Sequence, residues 1–396
     1  MTKVRASSGS SIRVRPSFVL AFMLEHPFES ETYVREDDKV YNQERLNLLH
    51  NAELHVLGAD FLEAERLKRR PISKISIPFA KDGDLLQNST EVYLVTHREG
   101  VQIMEAWMEL PEQEFDANRW IGWLKNDSED YIVNAIQETL PYLKQSTHLF
   151  TFIGILGKDE KVEEFINKYA TDIINLIYLD SSVIPFKDSF VDDELSKNFC
   201  LREGGASYVS NSVALNIMFV NPGKNNPEFD HINLQGRCAL PFIISIELLL
   251  LEKQILEKYY RMLTRSSLSI NGLIGLKQEI LNGLEEYYGI IARATQFSAP
   301  LMEYGQRILG IDDLYDSVLD RLDAVTFDIT TNYERNTNVL TFWLTILFGS
   351  LDTGLLTESI ASIYYAHNLL MTVLWTALTT VVTSLGIYAL LYRRMK

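Results

Sequence analysis

One uncharged run near the C-terminus constrains the fold more than any other feature of this sequence. Residues 369–392, LLMTVLWTALTTVVTSLGIYALLY, contain no charged side chain. About 20 consecutive apolar residues are enough for a helix to cross the hydrocarbon core of a bilayer. Arg393, Arg394 and Lys396 follow directly, and basic residues collect on the cytoplasmic side of a span. The run therefore predicts a transmembrane helix whose C-terminal end is cytoplasmic.

Two shorter apolar runs need separate interpretations. Residues 339–351 stop at Asp352, and by length alone they could form a buried core helix. They lie close before the first run, and residues 353–368 contain no Lys or Arg, as a translocated loop should. We therefore expect a second span, which makes the chain a multi-pass protein of the inner or plasma membrane with both termini cytoplasmic. The run at 240–251 contains Glu247 and predicts a buried helix instead.

Composition and motifs exclude several classes of function. The formal net charge of −16 argues against a nucleic-acid partner, because binding to phosphates needs a basic surface. Cys200 and Cys238 are too few for a disulfide framework or a zinc cluster. No P-loop, G-x-G-x-x-G or H-E-x-x-H pattern is present. We therefore expect no enzymatic activity, no catalytic residue and no bound cofactor, whereas the acidic excess is compatible with cation handling.

The N-terminal half mixes strand-like and helical periods, which together predict an α/β domain. Strands are expected at 12–24, 91–97, 101–108, 148–156, 173–179 and 213–220. Helices are expected within 128–145 and 158–170, and a loop rich in Pro, Gly and Asn ends the domain.

The whole chain then divides into six segments. The predicted order is an α/β cytoplasmic domain (1–235), a cytoplasmic helical hairpin region (236–310), a stalk helix continuing into the first transmembrane span (311–352), an outer loop (353–368), a second transmembrane span (369–392) and a basic cytoplasmic tail (393–396).

The predicted stalk helix carries polar residues at steps of three or four, the spacing of one helical face. They are Asp313, Asp316, Asp320, Asp323, Thr331, Glu334, Asn338, Thr341, Thr345 and Asp352, with Phe327 and Gly349 at the same spacing. No proline interrupts residues 311–351. A neighbouring apolar stripe is expected to pack: Leu314, Val318, Leu322, Val325 and Ile329. A single helix can therefore carry one polar face from the cytoplasm into the bilayer.

A polar face inside a membrane is costly unless it lines water or meets other polar groups. Several copies around a symmetry axis can enclose a pore that a single helix cannot. The expected pore-lining residues are Asn338, Thr341, Thr345, Gly349 and Asp352, with Glu358 and Asn368 at the outer mouth. The alternative is that these hydroxyls bond their own backbone or a neighbouring helix, and that the cytoplasmic Asp residues are simply solvated. A threonine stripe on the second span (Thr372, Thr376, Thr379, Thr383, with Gly386) is interpreted as such a packing surface.

The order of these parts resembles the CorA family of divalent-cation channels. The most specific stretches are YERNTNVLTFWLTIL (333–347) and GIYALLYRRMK (386–396). The resemblance implies a homopentameric funnel in the bilayer that conducts magnesium. By position, it implies that Asn338, Thr341, Thr345 and Asp352 line the pore. It also implies that carboxylates between protomers sense internal magnesium, and the matching positions are Asp313, Asp316, Asp320 and Asp323.

The sequence departs from the family at the outer end of the first span. The Gly-Met-Asn motif is absent, and SLDTG (350–354) stands in that region. Asp352, Glu358 or Asn368 could then serve as the mouth ligand, and magnesium selectivity does not carry over. A second hypothesis follows, because divergent family members serve as ligand-gated membrane effectors in bacterial antiviral systems. In that case the α/β domain would bind a small nucleotide-like ligand. A third hypothesis is a membrane-anchored scaffold without a pore.

Overall fold

A computed structural model describes most of the chain. The described residues are 12–24, 43–63, 67–81, 84–126, 128–139, 146–158, 161–182, 184–200, 203–220, 239–265, 272, 274–278, 280, 281, 298–364 and 369–395. The chain divides into two compact units. The first comprises Met1–Arg265 and Gln278–Val318, and the second comprises Ser266–Lys277 and Leu319–Lys396.

The first unit is built on one mixed β-sheet. Its described strands are β1 (Arg13–Leu24), β2 (Leu67–Lys81), β3 (Asp84–His97), β4 (Gln102–Glu109), β5 (Gln113–Glu114), β6 (Ser146–Lys158), β7 (Gly205–Val209) and β8 (Val213–Val220). The strand order is β2-β3-β4-β1-β6-β8-β7, with β5 paired to β1. The β6–β8 pair is parallel, and the other described pairs are antiparallel.

Helices cover both faces of this sheet. In the first unit they are α1 (Gln43–Leu57), α2 (Ala59–Glu63), α3 (Ala117–Asn126), α4 (Ser128–Thr139), α5 (Val162–Lys168), α6 (Ala170–Ile177), α7 (Asp188–Ser196), α8 (Leu240–Arg265) and α9 (Ser298–Ile308). Alternate side chains of β1, such as Phe18 and Phe22, pack into one apolar cluster with Trp120 of α3 and Phe165 of α5. The opposite face carries buried carboxylates and lies against α1 and α8.

The predicted α/β domain followed by a helical C-terminal region is confirmed. The strands expected at 12–24, 91–97, 101–108, 148–156 and 213–220 all form, and the helix expected at 240–251 is buried within α8.

The strand expected at 173–179 is wrong, because these residues form the end of α6 and the turn after it. Ile173, Ile174 and Ile177 are all buried, which is the spacing of one helical face. A short apolar run carries no period strong enough to separate a buried strand from a buried helix. Strand β2 is not predicted from the sequence, because Pro71 and Pro78 interrupt it. Because β2 lies at the edge of the sheet, proline can be accommodated there.

The second unit contains most of α10 (Ile311–Tyr364) and all of α11 (Leu369–Met395). In the expected packing stripe of α10, Val318, Leu322 and Val325 are buried and Leu314 is half-buried, whereas the side chain of Ile329 is not among those described. The outer loop expected at 353–368 is wrong over residues 353–364, which continue the helix. These residues contain no proline, and the one glycine, Gly354, lies against α11. Residues 365–368 lie outside the described residues.

Replacing Trp120 with Ala is expected to destabilise the first unit. Trp120 is fully buried and contacts the rings of Phe18 and Phe115 edge-on. Removing a buried aromatic side chain costs about 3–5 kcal/mol of unfolding free energy. Calorimetry of the full-length protein in detergent measures the change. The matched control is Ile184→Ala, because Ile184 is 80% exposed and should cost less than about 0.5 kcal/mol. Equal effects of the two changes would contradict the packing described here.

Candidate functional site

Helices α10 and α11 pack against each other through small residues. On α10 the buried side chains recur at helical spacing: Ile346, Ser350 and Ala361, with Gly354 between them. A Cβ atom added at Gly354 would lie 2.7 Å from Oγ1 of Thr380, so the α10 backbone at Gly354 lies against the Thr380 side chain of α11. Close approach at small residues is the usual way in which helices pack within membranes. The threonine stripe that is interpreted as a packing surface lies on α11. Its residues Thr372, Thr376, Thr379 and Thr383 are all partly buried, as a packing surface should be, although Gly386 is exposed.

The segments of both helices that could cross a membrane expose mostly apolar side chains. The segments Tyr333–Tyr364 and Leu369–Ala389 are 32 and 21 residues long and are apolar enough to cross a membrane. Only 17% of the first apolar window and none of the second is buried in the chain. Large side chains such as Trp343, Phe348 and Leu385 are more than half exposed. In the part of the chain that the structure describes, these two helices are covered far less than the core helix of a soluble protein.

Four of the expected pore-lining residues are exposed on α10. Asn338, Thr341, Thr345 and Asp352 share one side of the helix, which is not the side that packs on α11. We call these four residues the polar stripe. The Thr345 hydroxyl donates a hydrogen bond of 2.8 Å to the carbonyl oxygen of Thr341. The proton of that hydroxyl is therefore committed to the backbone, while its lone pairs remain available to a cation or to water.

The other expected pore and mouth residues behave differently. A Cβ atom added at Gly349 would lie 2.9 Å from Cδ1 of Ile387, so Gly349 belongs to the contact with α11 and not to the polar stripe. Glu358 was expected in a loop but lies within α10. It follows Asp352 by six residues, which turns it about 120° around the helix. Glu358 and Asp352 therefore do not share one face, and Asn368 lies outside the described residues.

The four candidate sensing residues, Asp313, Asp316, Asp320 and Asp323, are exposed along α10. Within the described residues of one chain, no group of three or more His, Cys, Asp and Glu side chains is arranged to hold a metal ion. Cation sensing at these positions would require carboxylates from neighbouring copies, and it stays a prediction.

A buried cluster that sequence reasoning missed lies on the α1–α8 face of the sheet. The Arg69 guanidinium donates to Oε1 of Glu53 at 2.7 Å, to Oε2 of Glu105 at 2.6 Å and to Oε2 of Glu247 at 2.6 Å. These side chains are between 0% and 8% exposed. The one sequence signal was Glu247, a carboxylate inside the apolar run 240–251.

A second ion pair lies on the same face. Arg45 contacts Oε2 of Glu91 at 3.1 Å and Oε1 of Glu109 at 2.5 Å. Tyr93 donates its hydroxyl hydrogen to Glu91, and burial together with this bond raises the pKa of Tyr93. The charged groups on this face are therefore arranged in two adjoining sets, one around each arginine.

Burial is the largest single influence on the pKa values of Arg69 and Glu247. Burial raises the pKa of Glu247 well above its usual value, Glu105 and Glu53 raise it further, and Arg69 opposes them. For Arg69 itself burial lowers the pKa, but the three carboxylates outweigh burial, and the net direction is upward. The net effect is therefore to raise the pKa of both Arg69 and Glu247.

A cleft on the same face lies between α8 and the strands, and Arg45, Trp107, Glu109 and Asn216 contribute its polar lining. The space open to the centres of water-sized spheres is about 40 Å³. That volume holds about three water molecules, given roughly 10–15 Å³ for each. Most of the other lining residues, such as Phe152, Leu240 and Phe242, are apolar.

Replacing Gly354 with Val should weaken the contact between α10 and α11. The new side chain would overlap Thr380, and such overpacking costs about 1–3 kcal/mol. Resistance of the full-length protein to SDS in mixed micelles measures the loss. Gly386→Val is the matched control, because a Cβ atom at Gly386 meets nothing within 4 Å. A Gly386 variant as sensitive as the Gly354 variant would contradict this packing.

Comparison of the chain with models of protein families, with curated proteins and with solved structures found no match.

Proposed function

We propose that the chain is one subunit of an oligomeric membrane cation channel of the CorA type, with α10 lining the pore. The observation that carries the proposal is the polar stripe on a helix that also exposes large apolar side chains such as Trp343 and Phe348. The chain would be a multi-pass protein of the inner or plasma membrane, with both termini cytoplasmic.

The energetics of the polar stripe favour an assembly over a single subunit. A carboxylate such as Asp352 costs about 2.5–3.5 kcal/mol at the centre of a lipid bilayer. The cost falls when the residue faces water, and copies of the chain around an axis provide a water-filled interior. Lipid would then cover Trp343, Leu347 and the exposed face of α11, all of which are apolar. A homopentamer is the assembly that the family resemblance implies.

The chemistry of the polar stripe suits a hydrated cation. Carboxylate rings favour cations, and hydroxyl and amide oxygens can hold an ion together with its water shell. Magnesium keeps several waters and prefers oxygen ligands, so it is the first candidate for the conducted ion. Asp352 would supply the carboxylate ring, and Asn338, Thr341 and Thr345 would supply the neutral oxygens.

Replacing Asp352 with Ala is expected to change ion selectivity or to reduce cation flux, because the carboxylate ring would be lost. Flux of several cations into liposomes that contain the purified full-length protein measures the effect. The control is Glu358→Ala, which removes a carboxylate from a different face of the same helix. Wild-type flux in the Asp352 variant would show that this residue does not line the pore.

The mass of the detergent-solubilised particle provides an independent check. A monomer cannot conduct by this mechanism and would support the scaffold hypothesis.

A channel that is shut at every divalent-ion concentration, and opens only when nucleotides are added, would support the effector hypothesis.

Regulation by internal cations would involve the acidic part of α10. Divalent ions bound between Asp316 and Asp320 of neighbouring copies would hold the channel closed, and their loss would release it. Replacing both residues with Asn should therefore shift inhibition by internal magnesium to higher concentrations. A dose response that matches the wild type would eliminate the sensing role. Asp193→Asn with Asp188→Asn is the control, since these residues lie on α7.

A further inference from the structure

We infer that the cluster of Glu53, Arg69, Glu105 and Glu247 is a proton-binding site, and that Glu247 holds the proton. The site lies where α1, β2, β4 and α8 meet within the first unit. It does not depend on whether α10 and α11 conduct ions.

The charges of the cluster do not balance when every group is ionised. One guanidinium faces three carboxylates, and each of the three accepts one of its hydrogen bonds. With every group ionised, the cluster would carry a net charge of −2 in a buried place. Burial of uncompensated charge is so costly that a carboxyl group takes up a proton instead. The neighbouring Arg45 already contacts Glu91 and Glu109.

Two carboxyl oxygen atoms of the cluster also lack hydrogen-bond partners. Oε1 of Glu105 and Oε1 of Glu247 are buried and have no hydrogen-bond partner among the described residues. Their side chains are 0% and 2% exposed. An ionised carboxylate with an unpaired buried oxygen pays the full desolvation cost of that atom. A proton on one of the two oxygens lowers that cost.

The hydrogen bonds single out Glu247 as the carrier. Oε2 of Glu105 accepts from Arg69 and also from Nε1 of Trp107, at 3.0 Å, so two donors stabilise its charge. Glu53 has the most exposed carboxyl side chain of the three, at 8%. Among the described residues, Glu247 accepts from Arg69 alone, and it lies in the apolar part of α8. Its anion is therefore the least stabilised of the three.

A metal ion is a poor alternative for balancing the charge. The Arg69 guanidinium already lies among the three carboxylates, and no group of His, Cys, Asp and Glu in the described part of the chain has the arrangement of a metal site. A proton needs only one of the two unpaired oxygens.

The pH dependence follows from the direction of the pKa shift. The charged and titratable groups around Glu247 are Glu53 of α1, Arg69 of β2 and Glu105 of β4. Because the pKa of Glu247 is raised in the folded state, folding takes up one proton between the ordinary pKa of Glu and the raised value. The contribution to stability is complete below the ordinary value and is lost as pH rises through the raised value. Across that window, the folding equilibrium constant falls about tenfold per pH unit.

Infrared spectroscopy of the full-length protein in detergent tests the site directly, because a neutral carboxyl group absorbs apart from a carboxylate. At pH 7, Glu247→Gln should lose part of the protonated-carboxyl absorption of the wild type, and the remainder comes from groups such as Glu252, whose pKa burial raises to about 7. The control is Glu112→Gln, which removes an exposed carboxylate paired with Arg13 and should keep the band. A band that persists unchanged in the Glu247 variant would overturn the proposal.

A second variant covers the case in which the Glu247 variant does not fold. Glu53→Gln removes one negative charge from the cluster and keeps Glu247 in place. The band assigned to Glu247 should then titrate at a lower pH than in the wild type, because less repulsion opposes its ionisation. An unchanged titration would show that the carboxyl groups do not share one proton site.

Discussion

Apolar surface that the chain does not cover is the constraint on which the account of α10 and α11 depends. Water exposure of a continuous apolar surface is unfavourable roughly in proportion to its area. Among the described residues, helix α11 buries none of its apolar window and α10 buries little, so this surface is available to lipid or to another protein. In the proposed channel, lipid covers this apolar surface and the polar stripe faces water. The contact of Gly354 with Thr380 of α11 lies on a different side of α10 from the polar stripe.

In the first unit, by contrast, charged side chains are buried next to side chains of opposite charge. One face of its sheet is apolar and packs against α3 and α5, whereas the other carries carboxylates that meet Arg45 and Arg69. Buried ion pairs add little net stability, but removing one partner leaves an uncompensated charge. This arrangement explains why the apolar run that contains Glu247 forms a buried helix. Its carboxyl group has a donor in Arg69, which a lipid environment would not supply.

Local patterns in the sequence predicted the elements with strong periods and missed those whose identity depends on distant residues. The stalk helix and most of its packing stripe follow from residue spacing, and helix α8 follows from an apolar run that contains Glu247. The helix at residues 173–177 and the edge strand β2 do not, because a short apolar run and a proline-containing strand acquire their form from neighbours in the sheet. The cluster around Arg69 joins residues separated by 16, 36 and 178 positions, so no local motif could reveal it. Likewise, Gly349 shares the spacing of the polar stripe, and only the position of Ile387 assigns it to the helix contact.

Water accessibility of the polar stripe is the measurement that tests the central claim most directly. Thr345→Cys and Leu347→Cys place thiols two residues apart on different sides of α10, in a background in which Cys200 and Cys238 are replaced. In liposomes, a membrane-impermeant thiol reagent should modify the Thr345 variant and spare the Leu347 variant, which would face lipid. If the Thr345 variant is inert, or if both variants react equally, the polar stripe does not line a water-filled axis and the channel account fails.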